Sequence, residues 1–116
     1  MSRGGEQNAI LKGTLDVLVL KALSQAPMHG FELTAWLERQ ADGALGLEDS
    51  AVYQALYRME KRGLLTGEWA VSDKNRRARY YTLTRAGRAH LKAETGRLLR
   101  YADTVRSILA PGTQGG

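Results

Sequence analysis

The residues best equipped for chemistry in this sequence are hydrogen-bonding groups and cations rather than nucleophiles. Between Ser50 and Lys61, the side chains of Ser50, Tyr53, Gln54, Tyr57, Arg58 and Lys61 recur at helical spacing on one stripe, while Val52, Ala55, Leu56 and Met59 recur on the other. The polar stripe suits the base edges and phosphates of a duplex: Gln matches adenine, Arg matches guanine, and Tyr, Ser and Lys bond backbone oxygens. Further on, Lys74, Asn75, Arg76, Arg77 and Arg79 gather cations at a turn, where they can straddle a phosphate backbone or enter a minor groove.

Catalytic chemistry finds no comparable set. The two histidines, His29 and His90, fall on different elements, and there is neither a phosphate loop nor a pair of acids at catalytic spacing. With no Cys in the chain, disulfides, zinc ribbons and thiol catalysis are excluded together. The expectation is a non-enzyme with no catalytic residue, no metal and no cofactor. His29 reads as a turn residue against the second helix, and His90 as a partly exposed residue on the last one.

The charge has a place as well as a sign. The 116 residues carry 17 Lys and Arg against 12 Asp and Glu, a net charge of +5. From Ser72 to Arg100 nine basic residues face only Asp73 and Glu94, so this stretch holds +7 and the rest of the chain −2. A local basic segment is the electrostatic footprint of a nucleic-acid contact. At 43% apolar and 25% charged the composition is that of a folded domain, and the length fits one core. No secretory signal opens the chain and the longest apolar run, Val17 to Leu20, is far short of the ~20 residues that span a bilayer, so a cytoplasmic protein without a membrane partner is expected.

These groups need a scaffold, and the periodicity supplies one. Leu11, Leu15, Leu18 and Ala22 mark a first helix from Ile10 to Ser24, stopped before Pro27. Leu33, Trp36 and Leu37 mark a second over Phe31 to Gln40, ending at the turn pair Asp42-Gly43. A third starts at Glu48-Asp49-Ser50 and runs to Arg62, with Gly63 as its left-handed cap. The period then shortens: Leu64 to Val71 and Ala78 to Thr84 read as a two-stranded hairpin with a basic tip. In it Tyr81 and Leu83 read as packing beneath Arg79, while Trp69 and Tyr80 read as core, ligand surface or both, core being the commoner role for a lone Trp on a strand.

Thr84 then caps a helix over Arg85 to Leu109, long for so small a chain. Along it Leu91, Thr95, Leu98, Ala102, Val105 and Leu109 follow a heptad seam. Its cheapest cover is a second copy related by a two-fold axis, and the competing reading folds the helix back on its own domain. The expected fold class is α+β, mainly α: a winged helix-turn-helix with a two-stranded wing and a long C-terminal dimerisation helix. The boundaries are a flexible N-terminus over 1–9, the winged helix over 10–84, the dimerisation helix over 85–110 and a flexible tail over 111–116.

Several stretches together resemble PadR-family transcriptional regulators, over roughly residues 10 to 109. They are Leu11-Lys12-Gly13-Thr14-Leu15-Asp16, Met28-His29-Gly30-Phe31-Glu32-Leu33, Ser50-Ala51-Val52-Tyr53-Gln54-Ala55-Leu56-Tyr57-Arg58-Met59-Glu60 and Tyr80-Tyr81-Thr82-Leu83-Thr84-Arg85-Ala86-Gly87-Arg88. The segment from Glu68 to Tyr81 further resembles the branch of PadR-like proteins often encoded beside permease genes. The resemblance implies a homodimeric repressor on a pseudo-palindromic DNA operator, with the third helix in the major groove and the wing on flanking backbone. It also implies that Tyr53 approaches the DNA backbone. Many members have Gly-Thr where this chain has Ser50-Ala51, and often His at the position of Tyr57, so base preference does not transfer. Some relatives bind phenolic acids or planar drugs near the dimer interface, yet the final helix here offers no Trp as a stacking platform. The alternative to an operator-binding repressor is a winged helix that binds protein or RNA.

Overall fold

The computed structural model describes residues 3–110, with side chains from residue 13 onward. Four helices and one hairpin follow in the order α1 (Arg3–Leu23), α2 (Gly30–Gln40), α3 (Asp49–Lys61), β1 (Leu65–Val71), β2 (Arg77–Leu83) and α4 (Arg85–Leu109). α1 begins at Arg3, well before Ile10, where the apolar stripe starts. The side chain of Leu11 and the tail 111–116 lie outside the described residues.

Burial on α1 is broader than one stripe. Val19, Leu20 and Ala22 are fully enclosed and Leu15 and Leu23 nearly so, because α2, α3, α4 and β2 all pack against this helix. From the other elements Leu33, Val52, Leu56, Met59 and Leu65 complete the centre of the core. Val52, Ala55, Leu56 and Met59 are the buried face of α3, as their spacing requires.

Each element ends for a local reason. His29 caps α2: its Nδ1 accepts the Glu32 amide and its own amide donates to the Glu32 carboxylate, closing a capping box. Asp42 and Gly43 both take positive φ, at 56° and 77°, in the turn after α2. α3 closes in a Schellman motif, with Gly63 at φ 78°, its amide donating to the Glu60 carbonyl and the Leu64 amide to that of Met59. The Thr84 hydroxyl accepts the Gly87 amide at 2.9 Å, starting α4 where Thr84 predicts.

β1 and β2 pair antiparallel, with Leu65 opposite Leu83, Trp69 opposite Arg79 and Val71 opposite Arg77. Met28 joins the open edge of β2 through a reciprocal pair of backbone bonds with Tyr81, which tethers the hairpin base to the entrance of α2. α4 departs from the base of the hairpin and packs along α1, and the molecule's longest dimension reaches 58 Å.

Candidate nucleic-acid interface

The outer face of α3 is built by exclusion. Because Val52, Ala55, Leu56 and Met59 point inward, Ser50, Tyr53, Gln54, Tyr57 and Lys61 are left exposed on the other side. Lys61 Nζ stands 5.2 Å from the centre of the Tyr57 ring, a cation–π contact that aligns two neighbours of the stripe. Tyr53 leans back onto α2: its ring fills the space above Gly30 and meets Phe31 edge-on at 6.2 Å. Burial, then the nearby Asp49 and Tyr81, push the Tyr53 phenol above its ordinary pKa, so at neutral pH it is a hydrogen-bond donor.

The wing tip is a tight turn. Asn75 takes φ 60°, the Ser72 amide donates to the Arg76 carbonyl at 2.7 Å, and the Ser72 hydroxyl accepts from the amides of Lys74 and Arg76. Asn tolerates the left-handed region that this geometry demands. Lys74, Asn75, Arg76 and Arg77 are consequently all exposed at the end of the ribbon.

Two cations of the sequence-derived set are held by acids of the same chain. Arg58 Nη2 bonds Asp16 Oδ1 at 2.6 Å, tying α3 to α1. Arg79 Nη2 bonds the Glu60 carboxylate, tying β2 to α3, and that hydrogen bond raises the guanidinium pKa further. Both pairs join residues remote in sequence, so helical or strand spacing gives no sign of them.

Trp69 corrects the expectation of a core residue. It is 57% exposed, because the hairpin runs on past the core edge that the buried Tyr81 and its partner Gly67 mark. Its ring carries Arg77 at 4.8 Å and Arg79 at 5.9 Å. Tyr80 is half-buried and meets the His29 ring edge-on at 5.2 Å. Between the wing and the starts of α2 and α3 lies a cleft of about 840 Å³, whose walls include Phe31, Tyr53, Trp69, Arg77, Arg79 and Tyr81. Phe31 and Trp69 were not among the sequence-derived site residues. Phe31 falls outside the apolar stripe of α2, and that mismatch is the signal that places it on the surface.

On α4 the sequence-derived seam is divided. Leu91, Thr95, Leu98 and Val105 are half-covered, whereas Ala102 and Leu109 are exposed. Leu99, Tyr101 and Ile108 are large, exposed and beside the seam, with Tyr101 at 66% and Ile108 at 71%. Among the described residues no helix is long and apolar enough to cross a membrane.

Comparison with known proteins places this arrangement. The chain is 33% identical over 95 residues to an uncharacterised 37.1 kDa protein of a Streptomyces fradiae transposon, covering 82% of this chain and 26% of that protein. It thus spans about a quarter of the length of that relative. A crystal structure of a candidate transcriptional regulator from Thermoplasma acidophilum is 28% identical, covers 88% of this chain and 96% of its own, and superposes with a TM-score of 0.75. A PadR-like transcriptional regulator from Bacillus cereus is 27% identical with a TM-score of 0.73, over 87% of this chain and 96% of its own. The sequence profile of the PadR-like transcriptional regulators matches residues 19–93, from the buried half of α1 through the wing into α4, and this chain belongs to that family.

Proposed function

We propose that the protein is a homodimeric repressor that binds a pseudo-palindromic operator in its own or a neighbouring, permease-like operon. Membership in a family of transcriptional regulators gives DNA-binding regulation as the general activity. The observation that carries the finer reading is the pairing of two surfaces: the exposed polar stripe of α3 and the cationic wing turn beside it. In this reading Gln54 reads base edges from the major groove, Ser50, Tyr53, Tyr57 and Lys61 hold backbone oxygens, and Lys74, Asn75, Arg76 and Arg77 follow the flanking phosphates. Arg58 and Arg79 leave the set of direct contacts, since each is already bound to an acid.

The dimer is formed by α4, on which Leu99, Tyr101, Ile108 and Leu109 stay mostly exposed in the single chain. A two-fold pair then presents two copies of α3 to half-sites separated by about one turn of DNA or a multiple of it. The test is an electrophoretic mobility shift on the protein's own upstream region. A shift that weakens steeply with salt is expected, and the absence of any salt-sensitive shift on upstream fragments would sink the reading.

A further inference from the structure

We infer that Glu60 and Arg79 act as positioning residues that fix the pitch of the wing against α3, and that Arg79 contacts no phosphate itself. The inference rests on the DNA-binding reading for its consequence but on the geometry of the free chain for its cause. Beyond Gly67 and Tyr81 the hairpin is a two-stranded ribbon projecting from the core, an arrangement with little stability of its own. Its base is tethered by the backbone bridge of Met28 to Tyr81. Halfway to the tip, Arg79 reaches from β2 to the Glu60 carboxylate near the end of α3. Among the described residues this is the only side-chain hydrogen bond between α3 and the hairpin.

Besides the Glu60 carboxylate, the guanidinium has aromatic and backbone neighbours within the hairpin, while the side chain keeps about a third of its surface open to solvent. It lies within 5.9 Å of the Trp69 ring centre and 5.8 Å of that of Tyr81. It also crosses Gly67, where a Cβ would collide with its Nε and Cζ. Gly67, paired with Tyr81, is therefore the gap through which Arg79 passes to reach α3. An arginine held by a carboxylate, two rings and a glycine gap is a strut, and the strut sets the width of the cleft between the wing and the starts of α2 and α3.

The role makes a prediction opposite in sign to simple electrostatics. Removing an acid from a DNA-facing region ordinarily tightens binding. Here Glu60→Gln weakens operator binding roughly five- to tenfold, because it loosens the wing that carries Arg76 and Arg77. Gly67→Ala keeps every charge, displaces the guanidinium and produces a loss of similar size. The exchanged pair Glu60→Arg with Arg79→Glu recovers most of the affinity. Arg79→Ala lowers affinity but leaves the slope of log K against log salt unchanged, whereas Arg77→Ala flattens it by about 0.9. Tighter binding by Glu60→Gln, or a flattened slope for Arg79→Ala, overturns the inference.

Amide hydrogen exchange on the protein without DNA gives an independent decision. Faster exchange in the wing for Glu60→Gln and Gly67→Ala, with α1 and α3 unchanged, supports the strut, and parental protection of the wing overturns it. If the parent protein shifts no duplex at all, the DNA reading fails while the exchange measurement still decides the strut.

Discussion

The carbonyl oxygen of Leu64 occupies the space that a side chain on Gly87 would fill. That carbonyl already accepts the Thr84 amide at 3.1 Å, so it is fixed by the same junction that starts α4. The glycine is the condition on which α4 can leave the base of the wing at this angle.

Replacing Gly87 with Ala sets two effects against each other. Alanine favours a helix interior by roughly 1 kcal/mol over glycine. Forcing a methyl group into fixed backbone costs about 1–3 kcal/mol, and the collision here is with a carbonyl rather than a flexible side-chain end. Thermal unfolding should show Gly87→Ala as destabilised, whereas Gly13→Ala on α1, where a Cβ meets nothing within 4 Å, should be neutral or stabilising.

Gly30 behaves differently because the obstacle is movable. A Cβ there would meet the end of the Tyr53 ring, which can swing aside at little cost in stability. Gly30→Ala should therefore melt within ~1 kcal/mol of the parent yet lose operator affinity to about the same extent as Tyr53→Ala. A parental affinity would show that the position of Tyr53 over α2 has no bearing on DNA.

Asp16→Asn should have the opposite effect on binding from Glu60→Gln. It releases Arg58 from α1 and adds one unit of positive charge to the molecule. At low salt, affinity for any duplex should rise by roughly two- to fivefold, with stability falling by no more than about 1 kcal/mol, since both side chains retain solvent contact. Competition with nonspecific DNA in a mobility-shift series measures it.

The proposed function expects the two surfaces to divide affinity from preference. Arg76→Ala or Arg77→Ala should weaken binding about equally on all sequences, with a salt slope smaller by ~0.9. Gln54→Ala should instead change the ranking among operator variants, by about 1–3 kcal/mol at the affected base pair. Parallel losses of ranking from both would contradict the division.

For the dimer, Tyr101→Glu and Ile108→Glu are the cleanest probes. Both side chains are mostly exposed in the single chain, so the fold of one copy should survive. Sedimentation should shift from twice the 12.8 kDa chain mass towards the chain mass itself, a cost of about 2 kcal/mol or more at the interface. An unchanged dimer would remove these residues from it.

The elements themselves were largely legible in the sequence, and the side-chain partnerships were not. α4 spans Arg85–Leu109 as the Thr84 cap and the apolar periodicity predict, because both signals are local. The inward face of α3 follows from a period of 3.6 for the same reason. Asp16 with Arg58, and Glu60 with Arg79, are separated by 42 and 19 residues, and no local pattern announces which cation meets which acid. Alternation along β1 places Trp69 on the same side as Leu65 but says nothing of where the core stops, so a core residue was expected where an exposed one stands. That Gly87 lies against the Leu64 carbonyl and Gly67 against the Arg79 side chain shows only in the folded chain.

The exposure of Trp69 gives the protein an optical probe of its own wing. Trp36, the other indole, rests half-buried against the core on α2. A Trp36→Phe variant would leave one fluorophore, stacked beneath Arg77 and facing the cleft. Its emission colour and quenching would then report wing movement in the unlabelled chain, free or loaded, in real time.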